Sequence, residues 1–240
     1  VVINKIHFGD AYELIKQIPD KSIDLIYTDP PYHFKSKTLG KGMFMGKNKR
    51  EPYQDMRNTN LLDGIDNSIL TEFVRVLKRI NIYIWCNKAQ ILDYLNFFKK
   101  LDCNFEILTW HKINPVPMIS NIFLPDTEYC LYFREKGLSL NGGYELKSKY
   151  YLSAINQRDK ELFSHPTIKP LDLVKRHILH STHQNDVILD PFIGSGTTAV
   201  ACKELNRNYI GIEIYPKWYK VAVDRLENIN AKGQIGFLAR

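Results

Sequence analysis

Residues 187–213 restrict the fold more than any other stretch of this 240-residue chain. Val187-Ile188-Leu189-Asp190 is a short apolar run closed by an acid. Pro191-Phe192-Ile193-Gly194-Ser195-Gly196-Thr197-Thr198 follows as a glycine turn, then a helical run from Ala199 to Leu205. Tyr209-Ile210-Gly211-Ile212-Glu213 is a second strand with a second acid at its end. Strand, glycine turn and helix let backbone come close to a nucleotide-like ligand. The third glycine position of the dinucleotide fingerprint is Ala199, which that fingerprint permits. An acid about twenty residues beyond the first glycine can accept both hydroxyls of a ribose. The turn alone reads better as plain β-turn-α architecture; Glu213 tips the balance toward a ligand site.

The same alternation extends along the whole chain. Strand-like runs fall at residues 3–8, 23–28, 82–86, 105–111, 128–133, 187–190 and 209–214, and helix-like runs at 11–18, 68–79, 89–101, 171–181, 198–205 and 217–229. In the second helix Ile69, Phe73, Val76, Leu77 and Ile80 recur at spacings of three and four, which gathers them on one face. Such alternation predicts an α/β fold, a parallel sheet with helices on both faces. Runs 105–111 and 128–133 have no helix between them, which suits an antiparallel exception. At this length, with no linker signature and no internal repeat, residues 1–240 are expected to form a single domain.

Where the run Ile23–Thr28 stops stands Asp29-Pro30-Pro31-Tyr32. The prolines lack N–H groups and fix φ, so their carbonyls are offered as acceptors beside a carboxylate and an aromatic ring. That set suits a planar ring bearing an amino group, such as adenine or cytosine: the NH2 donates twice and the ring stacks. Asp-Pro and Pro-Pro are also common turn punctuation. A third segment, His165-Pro166-Thr167-Ile168-Lys169-Pro170, leads into the amphipathic stretch Leu171–His180. Pro170 suits a first helical turn, and a carboxylate could be held at that helix start with Thr167 and Lys169 nearby. A simple capped helix entry explains the segment equally well.

Charge points to a polyanion. The net charge is +7, and each phosphate neutralised by a basic side chain releases counterions. Between His33 and Arg57 stand Lys35, Lys37, Lys41, Lys47, Lys49, Arg50 and Arg57 against Glu51 and Asp55 only, interleaved with Met43, Phe44, Met45 and Tyr53. Residues 33–60 are therefore expected to form a basic, flexible, phosphate-binding loop. Cys86, Cys103, Cys130 and Cys202 lack the paired spacing of a zinc site, and reduced thiols fit a reducing compartment. His7, His111, His177, His180 and His183 form no metal-ligand pattern, and no metal is expected. No run reaches the length of a membrane span and the first residues do not read as a signal peptide, so the expected location is the cytoplasm, with no membrane partner.

Taken together, these segments resemble the S-adenosylmethionine-dependent DNA amino-methyltransferases of bacterial restriction–modification systems, the N6-adenine/N4-cytosine family. Asp29-Pro30-Pro31-Tyr32 is similar to the catalytic motif, residues 190–198 to the cofactor loop, and residues 165–170 to the motif preceding the cofactor strand. The catalytic motif comes first, the order of the β class. Gly9-Asp10-Ala11, Trp110–Pro115 and Asp126-Thr127-Glu128-Tyr129 add further matches, so the likeness spans nearly the whole chain.

The resemblance implies a Rossmann-like sheet of seven strands, one antiparallel. It implies catalysis by Asp29, Pro30, Pro31 and Tyr32 on a flipped base, because the target amine of a duplex is buried in the stack. The cofactor, S-adenosylmethionine, would meet Asp10 and Ala11 at its adenine edge and Glu213 at its ribose. Phe192, Gly194, Ser195 and Gly196 would lie along the methionine half, with Thr167, Lys169, Thr197 and Thr198 near its charged end, and Asp29 and Asp190 bordering the site. The family's use of Asp at the first motif position favours adenine N6 over cytosine N4. DNA, double- or single-stranded, is the implied partner, with a homodimer and a cognate restriction endonuclease as further expectations. Residues 137–163, polar and irregular, stand where the family often keeps a target-recognition region. RNA as substrate, a non-catalytic nucleic-acid-binding subunit and a nicotinamide oxidoreductase are the alternatives; the last leaves Asp29–Tyr32 unexplained.

Overall fold

The computed structural model describes residues 1–32, 64–115, 123–155 and 168–238. The basic loop expected at residues 33–60 lies outside them.

Eight strands build one sheet: β1 (Lys5–Phe8), β2 (Leu25–Thr28), β3 (Asn81–Cys86), β4 (Cys103–Lys112), β5 (Thr127–Glu135), β6 (Tyr150–Ser153), β7 (Val187–Asp190) and β8 (Asn208–Glu213), in the order β1-β8-β7-β2-β3-β5-β4-β6. The helices are α1 (Ala11–Leu14, continued by a 3-10 turn Ile15–Gln17), α2 (Asn67–Val76), α3 (Ile91–Phe98), α4 (Leu171–Ser181), α5 (Thr197–Glu204) and α6 (Pro216–Leu238). Every strand and helix run read from the sequence is present. β5 is antiparallel to both β3 and β4 while all other pairs are parallel, so one strand does run against the rest.

Seven strands were expected, and the described residues form eight. The addition is β6, inside the stretch that looked irregular. It pairs parallel with the outer edge of β4, Thr109 opposite Tyr150 and Lys112 opposite Ser153. Arg176 of α4 fixes its approach by donating to the carbonyls of Leu146 and Ser148, the latter at 2.6 Å. A four-residue strand held by a distant arginine leaves no local pattern to read.

The central strands β2 and β3 are buried at every position, as parallel strands covered on both faces must be. Their side chains alternate between two cores. Leu25, Tyr27, Tyr83 and Trp85 face Leu173, Val174 and Ile178 of α4, Ala199 and Val200 of α5, and Ala222 of α6. Ile26, Ile82 and Ile84 face Ile69, Leu70, Phe73 and Val76 of α2 and Phe98 of α3. Truncating a side chain as enclosed as Phe73 costs about 3–5 kcal/mol. Asp66 caps α2 by accepting from the backbone N–H of Ser68 at 2.8 Å, which offsets one of the donors a helix start leaves unpaired. That helix ends earlier than its periodicity suggests, because Leu77 turns extended and bridges to Ile23. No helix among the described residues is long and apolar enough to cross a membrane.

Candidate active site at the strand tips

In an open parallel sheet the ligand crevice lies beyond the carboxyl ends of the strands. Here the tips of β1, β8, β7 and β2 are neighbours, and the chain has placed an acid at each: Asp10, Glu213, Asp190 and Asp29. Leu25 and Ile26 lie opposite Ile188 and Leu189, so Asp29 and the turn after Asp190 emerge side by side. Asp190 and Glu213 likewise end adjacent parallel strands. Residues separated by more than 150 positions in the chain thus share one edge.

On the glycine-turn side, Asp190 is buried. Its Oδ2 accepts from the Thr198 hydroxyl at 2.6 Å and its Oδ1 from the N–H of Phe192 at 3.2 Å. Burial pushes its carboxyl up to about 7, against the pull of those hydrogen bonds. Glu213 is comparable: Oε2 accepts from the N–H of Gly194 at 2.9 Å and Oε1 from that of Tyr215 at 2.8 Å, while burial raises the carboxyl to about 7. Two buried carboxylates with no salt-bridge partner among the described residues suit hydroxyl or amine donors. Gly196 has φ +82°, and a Cβ there would meet the Ala222 Cβ at 3.0 Å and its Cα at 3.2 Å. Only glycine closes the turn that tightly onto α6. Arg225, buried on α6, donates to the Ser195 carbonyl at 3.2 Å and to the Thr197 hydroxyl at 2.9 Å. Asp10 caps α1 through the N–H of Tyr12 at 2.8 Å, and the N–H of Gly9 donates to the Glu213 carbonyl at 3.0 Å. Asp10 and Ala11 therefore sit beside Glu213.

On the other side, the Tyr32 hydroxyl donates to Asp29 Oδ1 at 2.9 Å, and Lys169 pairs with Asp29 Oδ2. A quarter of the Asp29 side chain stays accessible, against 6% of Lys169. Burial raises the Asp29 carboxyl above its ordinary value although Lys169 pulls it down. Gln90, buried at the start of α3, donates to the Pro31 carbonyl at 3.2 Å. Trp85, read from sequence as core, is fully buried and donates to the Tyr27 hydroxyl at 3.1 Å. His177 stacks on Tyr83 with centroids 4.8 Å apart and is a packing residue.

Three placements depart from the sequence reading. Lys169, expected near the methionine end of the cofactor, has its ammonium on Asp29 and Glu128. The hydroxyls of Thr197 and Thr198 are turned inward onto Arg225 and Asp190. Thr167 lies outside the described residues. Gln90, Glu128 and Arg225 were missed as parts of the site; Glu128 sat inside a motif match, whereas Gln90 and Arg225 carry no local signal.

A family model described as DNA methylase (N6_N4_Mtase) matches residues 23–224. The Type II methyltransferase M2.MboI of Moraxella bovis is 34% identical over 87% of this chain and 82% of its own length. The Type II methyltransferase M2.DpnII of Streptococcus pneumoniae is 30% identical, covering 92% and 89%. Among solved structures, an M1.HpyAVI–SAM complex superposes with a TM-score of 0.67 at 27% identity, covering 92% of this chain and 98% of that one.

Proposed function

This chain belongs to the DNA methylase family, and from that premise we propose that it transfers a methyl group from S-adenosylmethionine to the exocyclic N6 amine of adenine within a specific DNA sequence. The observation that carries the proposal is the meeting of the Asp29–Tyr32 turn with the Asp190–Thr198 turn on neighbouring strand tips.

S-adenosylmethionine, when bound, supplies an electrophilic methyl group on a positively charged sulfur. The residues that would hold it are Glu213 and Asp10 at the ribose and adenine end, with Phe192 and the turn 194–196 along the rest. Glu213 suits two hydroxyl donors because its backbone partners occupy one direction on each oxygen.

Asp29 and the Pro30 carbonyl do the work on the acceptor. An aromatic amine is a weak nucleophile because its lone pair is delocalised into the ring. Two acceptors that take its two hydrogens favour a pyramidal nitrogen and free that pair for attack. Positive charge then grows on the nitrogen, so a carboxylate and a carbonyl are worth more at the transition state than before it. Gln90 occupies the Pro31 carbonyl, which holds the turn and leaves Pro30 for the substrate. Tyr32 offers its ring to the flipped base. The surplus proton leaves through Asp29 or directly to water.

DNA is the macromolecular partner. A second copy of the chain and a cognate restriction endonuclease are proposed as further partners, in the cytoplasm of a bacterium. The deciding experiment is incubation with DNA and tritium-labelled S-adenosylmethionine, followed by nucleoside analysis. Label in N6-methyladenine is the expected result. N4-methylcytosine as sole product would overturn the choice of base, and failure to bind cofactor by calorimetry would favour a non-catalytic subunit.

A further inference from the structure

Behind Asp29, four charged side chains from separate segments form a chain of alternating sign. Lys112 of β4 lies 2.6 Å from Glu128 Oε1. Glu128 Oε2 lies 3.0 Å from the ammonium of Lys169, and that ammonium pairs with Asp29 Oδ2. The Lys169–Glu128 contact is a buried ion pair in which the ammonium faces the carboxylate directly. The indole of Trp85 lies 4.9 Å from the Lys169 ammonium and closes the apolar side. The charges sum to zero, as a buried set requires if desolvation is not to overwhelm it.

Two members of this chain are fixed in charge. Burial would push Glu128 up, but Lys169 and Lys112 more than offset it and hold the carboxyl at about 2. Burial would push Lys169 down, but Asp29 and Glu128 outweigh it and raise the ammonium. Asp29 is the accessible end, and it faces opposed influences: Lys169 favours its ionised form, while burial and Glu128 disfavour it.

An ammonium paired to Asp29 alone would compete with the substrate amine for the same oxygen. Glu128 attracts the same ammonium, which offsets part of that pairing although the ammonium rests nearer Asp29. Lys112 in turn keeps Glu128 charged. We propose that Lys169 and Glu128 are positioning residues for methyl transfer: Lys169 orients and charges the Asp29 carboxylate, and Glu128 limits how tightly Lys169 grips it. This deepens the function proposed above, since it presumes Asp29 as the amine acceptor, and it assigns Lys169 to the acceptor side of the site.

The other groups facing Asp29 are neutral or shared. Tyr32 and Tyr94 stay protonated, and burial pushes the Cys86 thiol up to about 12 and raises that of Cys130 as well. Asp190 at the tip of β7 carries the remaining charge and feels that of Asp29. Its contribution is common to the native chain and to variants at 128 and 169, so it cancels in their comparison.

The test is the pH profile of single-turnover methyl transfer, with cofactor affinity measured alongside by calorimetry. Lys169→Gln leaves two buried carboxylates facing each other, and the acid limb should move up by roughly one pH unit or more. Glu128→Gln removes a like charge, and the limb should move down. Opposite shifts at unchanged cofactor affinity are the expected result, which a merely structural role would not produce. Limbs that coincide with the native one, or a loss in Lys169→Gln that tracks weakened cofactor binding, would overturn the proposal. If Lys169→Gln fails to fold, Glu128→Gln decides alone: a downward shift supports the proposal and no shift overturns it. Asp29→Ala separates the two levels, because it removes the acceptor oxygen that an Asn amide would still supply. Activity retained in that variant defeats Asp29 as acceptor, whereas an inactive variant with unmoved limbs in the others defeats only the role of Lys169 and Glu128.

Discussion

The side-chain amide of Gln90 donates to the carbonyl of Pro31 at 3.2 Å. It ties the start of α3 to the turn that follows β2, and its other contacts, the N–H of Asn87 at 3.3 Å and the Tyr94 hydroxyl at 3.3 Å, lock the amide in place. Gln90→Leu keeps the bulk and removes the donor. Methyl transfer should slow by about tenfold, the scale of one lost hydrogen bond, while cofactor affinity stays unchanged. Single-turnover rates beside calorimetric titration give both numbers.

Asp29→Ala should abolish methyl transfer and largely spare cofactor binding, because the Asp190 and Glu213 contacts remain. Label transfer to DNA and calorimetric titration of S-adenosylmethionine are the paired measurements. Loss of binding without a separate chemical defect would reassign Asp29 to the cofactor.

Glu213 links cofactor affinity to pH. Its carboxyl titrates at about 7 through burial, and only the ionised form is a strong acceptor on both oxygens for ribose hydroxyls. Affinity should rise with pH through about 7, and Glu213→Gln should flatten that rise. Calorimetry at several pH values reads the slope.

His177 makes stability fall in acid. Burial lowers its imidazole from 6.5 to about 3. The folded-state value is depressed, so the unfolded chain binds more protons below 6.5. Stability is fully present above about 6.5 and is lost as pH falls from there toward 3. His177→Phe, which retains the stack on Tyr83, should reduce the slope of melting temperature against pH in that window.

Gly196→Ala tests the turn. It forces a left-handed residue, costing about 1–2 kcal/mol, and drives its Cβ against the Ala222 backbone. A melting temperature lower by roughly 2–8 °C is expected for a chain of this size, together with weaker cofactor binding.

How much of this the sequence revealed depends on the range of the interactions. The strands were legible because β2 and β3 are apolar at nearly every position, and the helices because Ile69, Phe73 and Val76 repeat on one face. Asp29, Asp190 and Glu213 were legible because each closes an apolar run. Short-range pattern failed wherever a distant side chain decides the outcome. β6 exists because Arg176 and the edge of β4 hold it. Lys169 pairs with Asp29 and Glu128, 140 and 41 residues away, a contact no local pattern announces. Gln90 and Arg225 brace turns far from them in sequence, and such bracing leaves no local periodicity.

The strand order β8-β7-β2 works as a ruler. Glu213 and Asp29 end strands two steps apart, and each step is fixed by backbone hydrogen bonding at about 4.8 Å, which puts roughly 10 Å between the two stations. No side-chain replacement can stretch that interval. In the proposed reaction, the span from sugar to reacting amine is therefore inherited from the pitch of the sheet.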